Sequence, residues 1–374
     1  MFSIVLNIVG SLFHLYVAAR LYALAPVRSR IPARAWWIGA LLLWFVYIAG
    51  VHVGDAALDW RWWPGQFAVT WLGITFLMSM CLLAADLLSG FGFWWRAHTQ
   101  AIRLGGAIAG VLLAAFALFQ GMRAPVIVEQ EVVLRDLPPA LDGTVIAAVS
   151  DIHLGGQRPS EWRGARVGQI NALTPAAVLL VGDLVEDEPV GEPQLAGVLR
   201  GLRAPLGVWA VTGNHEFYGD AETTVSEFAE GGVRWLRDRQ VELAPGLVLA
   251  GIEDIGATMR RGGALTTGLA GTLPGQSDKA TILMSHIPAT AVVEEASRRG
   301  VDLMLSGHTH GGQIWPFSYA VERRFPKYAG AYDVEGMMLY VTRGAGSWGP
   351  RMRLWKPGEI IKLTLRAPRQ APSA

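Results

Sequence analysis

Four long apolar runs fill the first third of the chain, roughly Phe2–Ala19, Trp36–Val53, Phe67–Leu88 and Leu104–Gly121. Each approaches or reaches the ~20 residues that cross a hydrocarbon core as a helix. A hydrophobic share of 52% over 374 residues is what such a membrane portion produces. No basic residue precedes the first run and three more follow, which argues against a cleaved leader. Tryptophans crowd the ends of the runs, at Trp36 and Trp37, at Trp60, Trp62 and Trp63, and at Trp94 and Trp95. Such belts mark membrane–water boundaries.

The connections carry an orientation signal. The first holds Arg20, Arg28, Arg30 and Arg34, the second Arg61 against Asp55 and Asp59, the third Arg96 and Arg103. Positive charge concentrates in the odd-numbered connections, so these are expected to be cytoplasmic. Four spans then put the large C-terminal part on the periplasmic or extracellular side. His14 and Asp86 lie within or near spans and read as structural partners of neighbouring helices, since the spans lack the paired internal charges of a transporter.

After Arg123 the chain becomes ordinary globular material, giving a membrane domain at 1–123, one domain with its own core at 124–366 and a Pro- and Ala-rich, disordered tail at 367–374. Val126–Leu134 alternates like a strand. Val145–Val149, Ala177–Val181, Val208–Val211, Leu247–Ala250, Thr281–Met284, Leu303–Leu305 and Met338–Val341 read as buried strands. Glu161–Leu173, Ala221–Glu230 and Thr290–Arg299 read as helices between them. The fold class is α/β, in layers.

Five of these strands run into polar, metal-competent residues: Asp151-Ile152-His153, Gly182-Asp183, Gly213-Asn214-His215-Glu216, His286 and Gly307-His308-Thr309-His310. Each group alone is more often a turn or a helix cap. Together they need five coincidences at one structural position, the carboxyl ends of strands, where α/β sheets bind ligands. The only cysteine, Cys81, lies in an apolar run, so thiolate metal sites and intrachain disulfides are excluded. Carboxylate, amide and imidazole donors suit Mn, Fe, Zn, Co or Ni better than Ca, and Mg less well. The ligands are too many for one ion. Two ions of about four ligands each, sharing a carboxylate, fit the count, and pairs ~3.5–4 Å apart serve phosphatases and nucleases. A net charge of +1 with scattered Arg and Lys gives no basic stripe for nucleic acid.

In order and spacing these blocks resemble the five signature blocks of the calcineurin-like metallophosphoesterases, over about Val126 to Leu365. Gly311-Gly312-Gln313 and the stretch Gly344-Ala345-Gly346 with Pro350 through Glu359 resemble the bacterial membrane-associated branch. The resemblance implies a four-layer αββα sandwich behind about four transmembrane helices. It implies two divalent cations, one on Asp151, His153, Asp183 and His310, the other on Asp183, Asn214, His286 and His308. It further implies attack on phosphorus by a metal-bridged hydroxide, with His215, paired with an acid such as Asp151, stabilising the transition state or protonating the leaving oxygen. The family often has Gly-Asp-x-x-Asp; here Glu186 stands at the last position, followed by Asp187.

The aromatic run Ile314-Trp315-Pro316-Phe317-Ser318-Tyr319 follows the histidine turn. It reads either as cover for the sheet edge or as a rim suited to a lipid phosphodiester or lipid-linked pyrophosphate. Arg343, Arg351 and Arg353 are candidates to hold a phosphate oxygen. A non-catalytic membrane sensor or scaffold that keeps its metals is the alternative reading; the intact His215 speaks for an enzyme.

Overall fold

The computed structural model describes residues 2–53, 62–155, 160–186, 194–273, 275 and 278–368. Asp55, Asp59, Trp60, Arg61, Asp187 and the end of the tail lie outside the described residues. The chain divides into two compact units, Met1–Arg123 with Gly349–Trp355, and Ala124–Trp348 with Lys356–Ala374.

The first unit holds α1 (Phe2–Tyr22), the short α2 (Ala25–Arg28), α3 (Ala33–Val53), α4 (Trp62–Leu88) and α5 (Thr99–Met122). The four long helices have the length and composition to cross a membrane. Ile8, Leu12 and Leu15 on α1 and Ile38, Leu42 and Phe45 on α3 are exposed, as lipid-facing residues are. Two buried polar groups there, Asp86 and His14, are paired. Asp86, fully buried, accepts the Tyr16 hydroxyl and the Nε–H of Arg20 and Arg103, each at 2.7 Å. His14 donates Nε2–H to the Ala40 carbonyl (3.0 Å) and accepts Trp71 Nε1–H at Nδ1 (3.1 Å), a single neutral tautomer.

Gly349–Trp355 counts with these helices, which the sequence did not announce. Arg353 N–H donates to the Ala117 carbonyl at 2.9 Å, and Trp355 lies on Phe116 with centroids 6.1 Å apart. Gly73 leaves room for the Met352 sulfur, 2.7 Å from where a Cβ would stand.

The second unit is built on two six-stranded sheets. One runs β1 (Val126–Val133), β12 (Glu359–Arg366), β2 (Val145–Val149), β3 (Ala177–Val181), β4 (Val208–Val211) and β5 (Val233–Trp235). The other runs β10 (Gly330–Val334), β11 (Met337–Val341), β9 (Leu303–Ser306), β8 (Ala280–Met284), β7 (Leu247–Gly251) and β6 (Arg239–Ala244). Within them β2–β3–β4 and β7–β8–β9 are parallel, and β12 is antiparallel to β2.

The side-chain period of two sorts each central strand onto two faces. Ile146, Leu179 and Val211 meet Leu249, Ile282 and Leu305 between the sheets. Ala147, Leu180 and Ala210 pack outward on Ile170 of α6 (Ser160–Asn171), Leu199 of α7 (Gln194–Leu199) and Phe228 of α8 (Ala221–Glu230). Ala250, Leu283 and Met304 pack outward on α9 (Ile255–Arg260), α10 (Thr267–Thr272) and α11 (Thr290–Arg298), through Ile255, Leu269 and Val292. The result is the expected four-layer αββα sandwich, preceded along the chain by four apolar helices.

Candidate metal centre

The carboxyl ends of β2, β3 and β4 in one sheet and β8 and β9 in the other deliver the five blocks to one place. Nε2 of His153, after β2, stands 3.1 Å from Nε2 of His310, after β9. Asp151 Oδ1 is 3.3 Å from the same His310 nitrogen. Beside them, Asp183 Oδ2, after β3, is 3.0 Å from Nε2 of His286, after β8, and the His308 ring stands edge-on to His286 with centroids 5.3 Å apart. Two trios result, Asp151–His153–His310 and Asp183–His286–His308, each with its donor atoms within 4.8 Å of one another. A third, His153–Glu186–His215, adjoins the first.

Backbone groups hold the ligating side chains. His308 N–H donates to Asp151 (3.0 Å to Oδ1), and His215 N–H donates to Asp183 Oδ1 (2.9 Å). His286 Nδ1–H donates to the Val181 carbonyl at 2.8 Å, which turns Nε2 toward Asp183. Asp151, His153, Asp183, His215, His286 and His310 are all buried.

The electrostatics are those of a buried, charged site. Burial alone would lift the Asp183 carboxyl, but His286 and its hydrogen bond, with His215 and His153, hold it below the usual carboxylate range. Burial opposes charge on His286, and the Asp183 carboxylate overrides it to about 10. Burial pushes Asp151 up. Burial, then the His286 charge, pushes His308 down to about 3.

The donor set fits divalent cations. Asn214 Oδ1 is buried and accepts no hydrogen bond among the described residues, while its Nδ2 donates to the Tyr218 hydroxyl at 2.8 Å. Two imidazole nitrogens face each other across 3.1 Å, a spacing that needs a proton or a shared cation between them. All eight residues named from sequence, Asp151, His153, Asp183, Asn214, His215, His286, His308 and His310, thus come from the strand ends of these two sheets.

A family model described as "Calcineurin-like phosphoesterase" matches residues 144–312, which contain all five blocks. A bovine (Bos taurus) "Transmembrane protein with metallophosphoesterase domain" is 32% identical over 80% of this chain and 73% of its own length. This chain belongs to the calcineurin-like metallophosphoesterases. It is a metal-dependent phosphoesterase with a membrane portion. The zebrafish (Danio rerio) protein of the same description is 27% identical over 96% of this chain and 87% of its own length. A bacterial relative, "Uncharacterized metallophosphoesterase Cj0846" of Campylobacter jejuni, is 29% identical over 72% of each chain.

Some expectations need correction. His215 Nδ1 pairs with the main-chain carbonyl of Glu186 at 2.5 Å, where the resemblance led us to expect a carboxylate such as Asp151. Arg343 is bound to Glu359 through its backbone N–H (2.9 Å) and guanidinium, and Arg351 and Arg353 group with the membrane helices.

Other residues were undervalued. Glu216, buried, accepts the N–H groups of Gly213 (2.6 Å), Leu184 (2.7 Å) and Asp183 (3.1 Å), and so locks the β3 and β4 loops together. Asp254 caps α9 through Ala257 N–H (2.8 Å) while its buried Oδ2 has no hydrogen-bond partner among the described residues, and burial raises its pKa. The signal for Glu216 was its adjacency to Asn214-His215. Asp254 carried no signal beyond following a strand.

Proposed function

We propose that the chain hydrolyses phosphoesters, mono- or diesters, with two divalent cations among Mn, Fe, Zn, Co and Ni. Asp151, His153, Asp183 and His310 hold one cation; Asp183, Asn214, His286 and His308 hold the other. The observation that carries this reading is the pair of adjacent Asp/His trios at the meeting edge of the two sheets. When bound, the cations supply Lewis acidity toward phosphoryl oxygens and acidify the water that attacks phosphorus. The residues supply the rest. Asp151 and Asp183 are fixed by backbone N–H groups, so the reacting groups meet a set geometry. His215 keeps Nδ1–H on the Glu186 carbonyl, and its Nε2 carries a proton to the leaving oxygen.

Replacing Asp183 by Asn tests this directly. Bound metal and turnover of bis-p-nitrophenyl phosphate should both fall. Retention of both refutes the two-cation reading.

The substrate we infer is lipid-linked or membrane-proximal. Trp315, Phe317 and Tyr319 are 40%, 52% and 63% exposed, directly after the histidine turn. Gln313 joins their loop to Trp348, its Nε2–H on the Trp348 carbonyl (2.9 Å) and its Oε1 accepting Trp348 N–H (3.0 Å). Exposed aromatics of this kind favour an interface. From the arginines of the first and third connections we take the phosphoesterase unit to face the periplasm or exterior.

A further inference from the structure

One residue touches both the inferred ligand His153 and the inferred acid His215. Glu186 Oε2 lies 2.7 Å from His153 Nδ1, and the Glu186 main-chain carbonyl lies 2.5 Å from His215 Nδ1. A carbonyl only accepts, so His215 presents its Nδ1–H to Glu186, while the Glu186 carboxylate faces His153 Nδ1 as an ion-pair partner. The two rings stand edge to face, centroids 4.6 Å apart at 86°. That arrangement leaves Nε2 of each ring as the nitrogen available for chemistry, and His153 Nε2 is the one facing His310.

The backbone around Glu186 is itself pinned. Glu186 N–H donates to the Leu154 carbonyl (2.9 Å), Leu154 N–H to the Leu184 carbonyl (2.7 Å) and His153 N–H to the Asp183 carbonyl (3.2 Å). The segments after β2 and β3 therefore run on as a short parallel bridge, Leu154 to Val185, beyond the sheet. Glu186 sits at the end of that bridge, its side chain 16% exposed and that of His153 1% exposed.

We propose that Glu186 is a positioning residue with two separable outputs. Its carboxylate orients His153 and makes Nε2 the more basic donor toward a cation; its peptide carbonyl fixes the tautomer of His215. A carboxylate behind a metal-ligating imidazole commonly sets ligand orientation and basicity. The first output depends on the side chain and the second does not, so substitution at this position separates them. The inference rests on the two-cation reading above.

The test uses the full chain in detergent, stripped of metal and titrated with Mn or Zn, with stoichiometry and affinities read by calorimetry and metal analysis. Wild type should take two cations. Glu186→Ala should weaken one of the two by about 10- to 100-fold and leave the other unchanged. Glu186→Gln, whose amide oxygen still accepts from Nδ1–H without the charge, should lose less. Unchanged affinity for both cations in Glu186→Ala overturns the proposal. So does equal loss of both together with a collapsed thermal melt, which marks a structural residue. A wild-type chain that takes fewer than two cations overturns the two-cation reading first, and this inference with it.

Discussion

Asp151, His153, Asp183, His308 and His310 all have positive φ, between 49° and 69°. Non-glycine residues rarely adopt the left-handed region, and each costs of order 1–3 kcal/mol there. Five such residues at one site mean that the surrounding sheets impose the conformation. The glycines beside them answer for space. A Cβ at Gly307 would run into Ser150 Oγ and Asp151 Oδ2, and one at Gly213 into Asp183 Oδ1. Gly213→Ala should therefore displace Asp183. We expect metal content and phosphodiester turnover to fall together while the circular dichroism spectrum stays native. Full metal content in this variant would show that Asp183 has freedom the structure does not suggest. At this scale the sequence was informative about identity and poor about pairing. The ligand types at strand ends were legible because the donors are few and chemically distinctive. That Glu186 serves His153 with its side chain and His215 with its carbonyl depends on how two loops lie side by side, and no local pattern encodes that.

Among the elements, the buried central strands were legible because a strand covered on both faces reads as a continuous apolar run. β2, β3 and β4 fall at the positions the sequence indicates. β5, β6, β10 and β12 were missed, for separate reasons. β5 has three residues; β6 and β10 are sheet-edge strands with exposed polar positions; β12 mixes Glu359, Lys362 and Arg366 into an apolar alternation. The short α7, α9, α10 and α12 (Ser318–Arg324), of six or seven residues each, give too little periodicity to read. The spans were legible by length, but their packing was not. Gly106 and Gly110 on α5 are four residues apart and face α4. A Cβ at Gly106 would stand 2.9 Å from the Cys81 carbonyl oxygen, and one at Gly110 2.9 Å from the Met78 Cα. Small residues at this spacing let helices approach closely in a membrane. Gly110→Leu should lower the thermal stability of the detergent-solubilised chain, whereas Gly105→Leu, with nothing within 4 Å of its Cβ, should not. Equal melting of the two variants would contradict the packing.

For the whole molecule, a family of hydrolases is joined to four apolar helices, and a later segment, Gly349–Trp355, rejoins those helices. The division near Arg123 was legible from composition. The return of seven residues was not, because they are too few to form a span and carry two arginines. If the substrate is lipid-linked, a phospholipid diester in matched mixed micelles should turn over faster than a soluble diester. Trp315→Ala with Phe317→Ala should erase that preference and spare the soluble reaction. Equal rates on both substrates in the wild type would remove the lipid reading and leave the metal chemistry standing. The account's central claim is tested most directly by titrating the metal-stripped full chain with Mn or Zn while following phosphodiester hydrolysis. It predicts that activity appears only as the second equivalent of cation binds per chain. Full activity at one equivalent, or activity that survives in the metal-free chain, would contradict it.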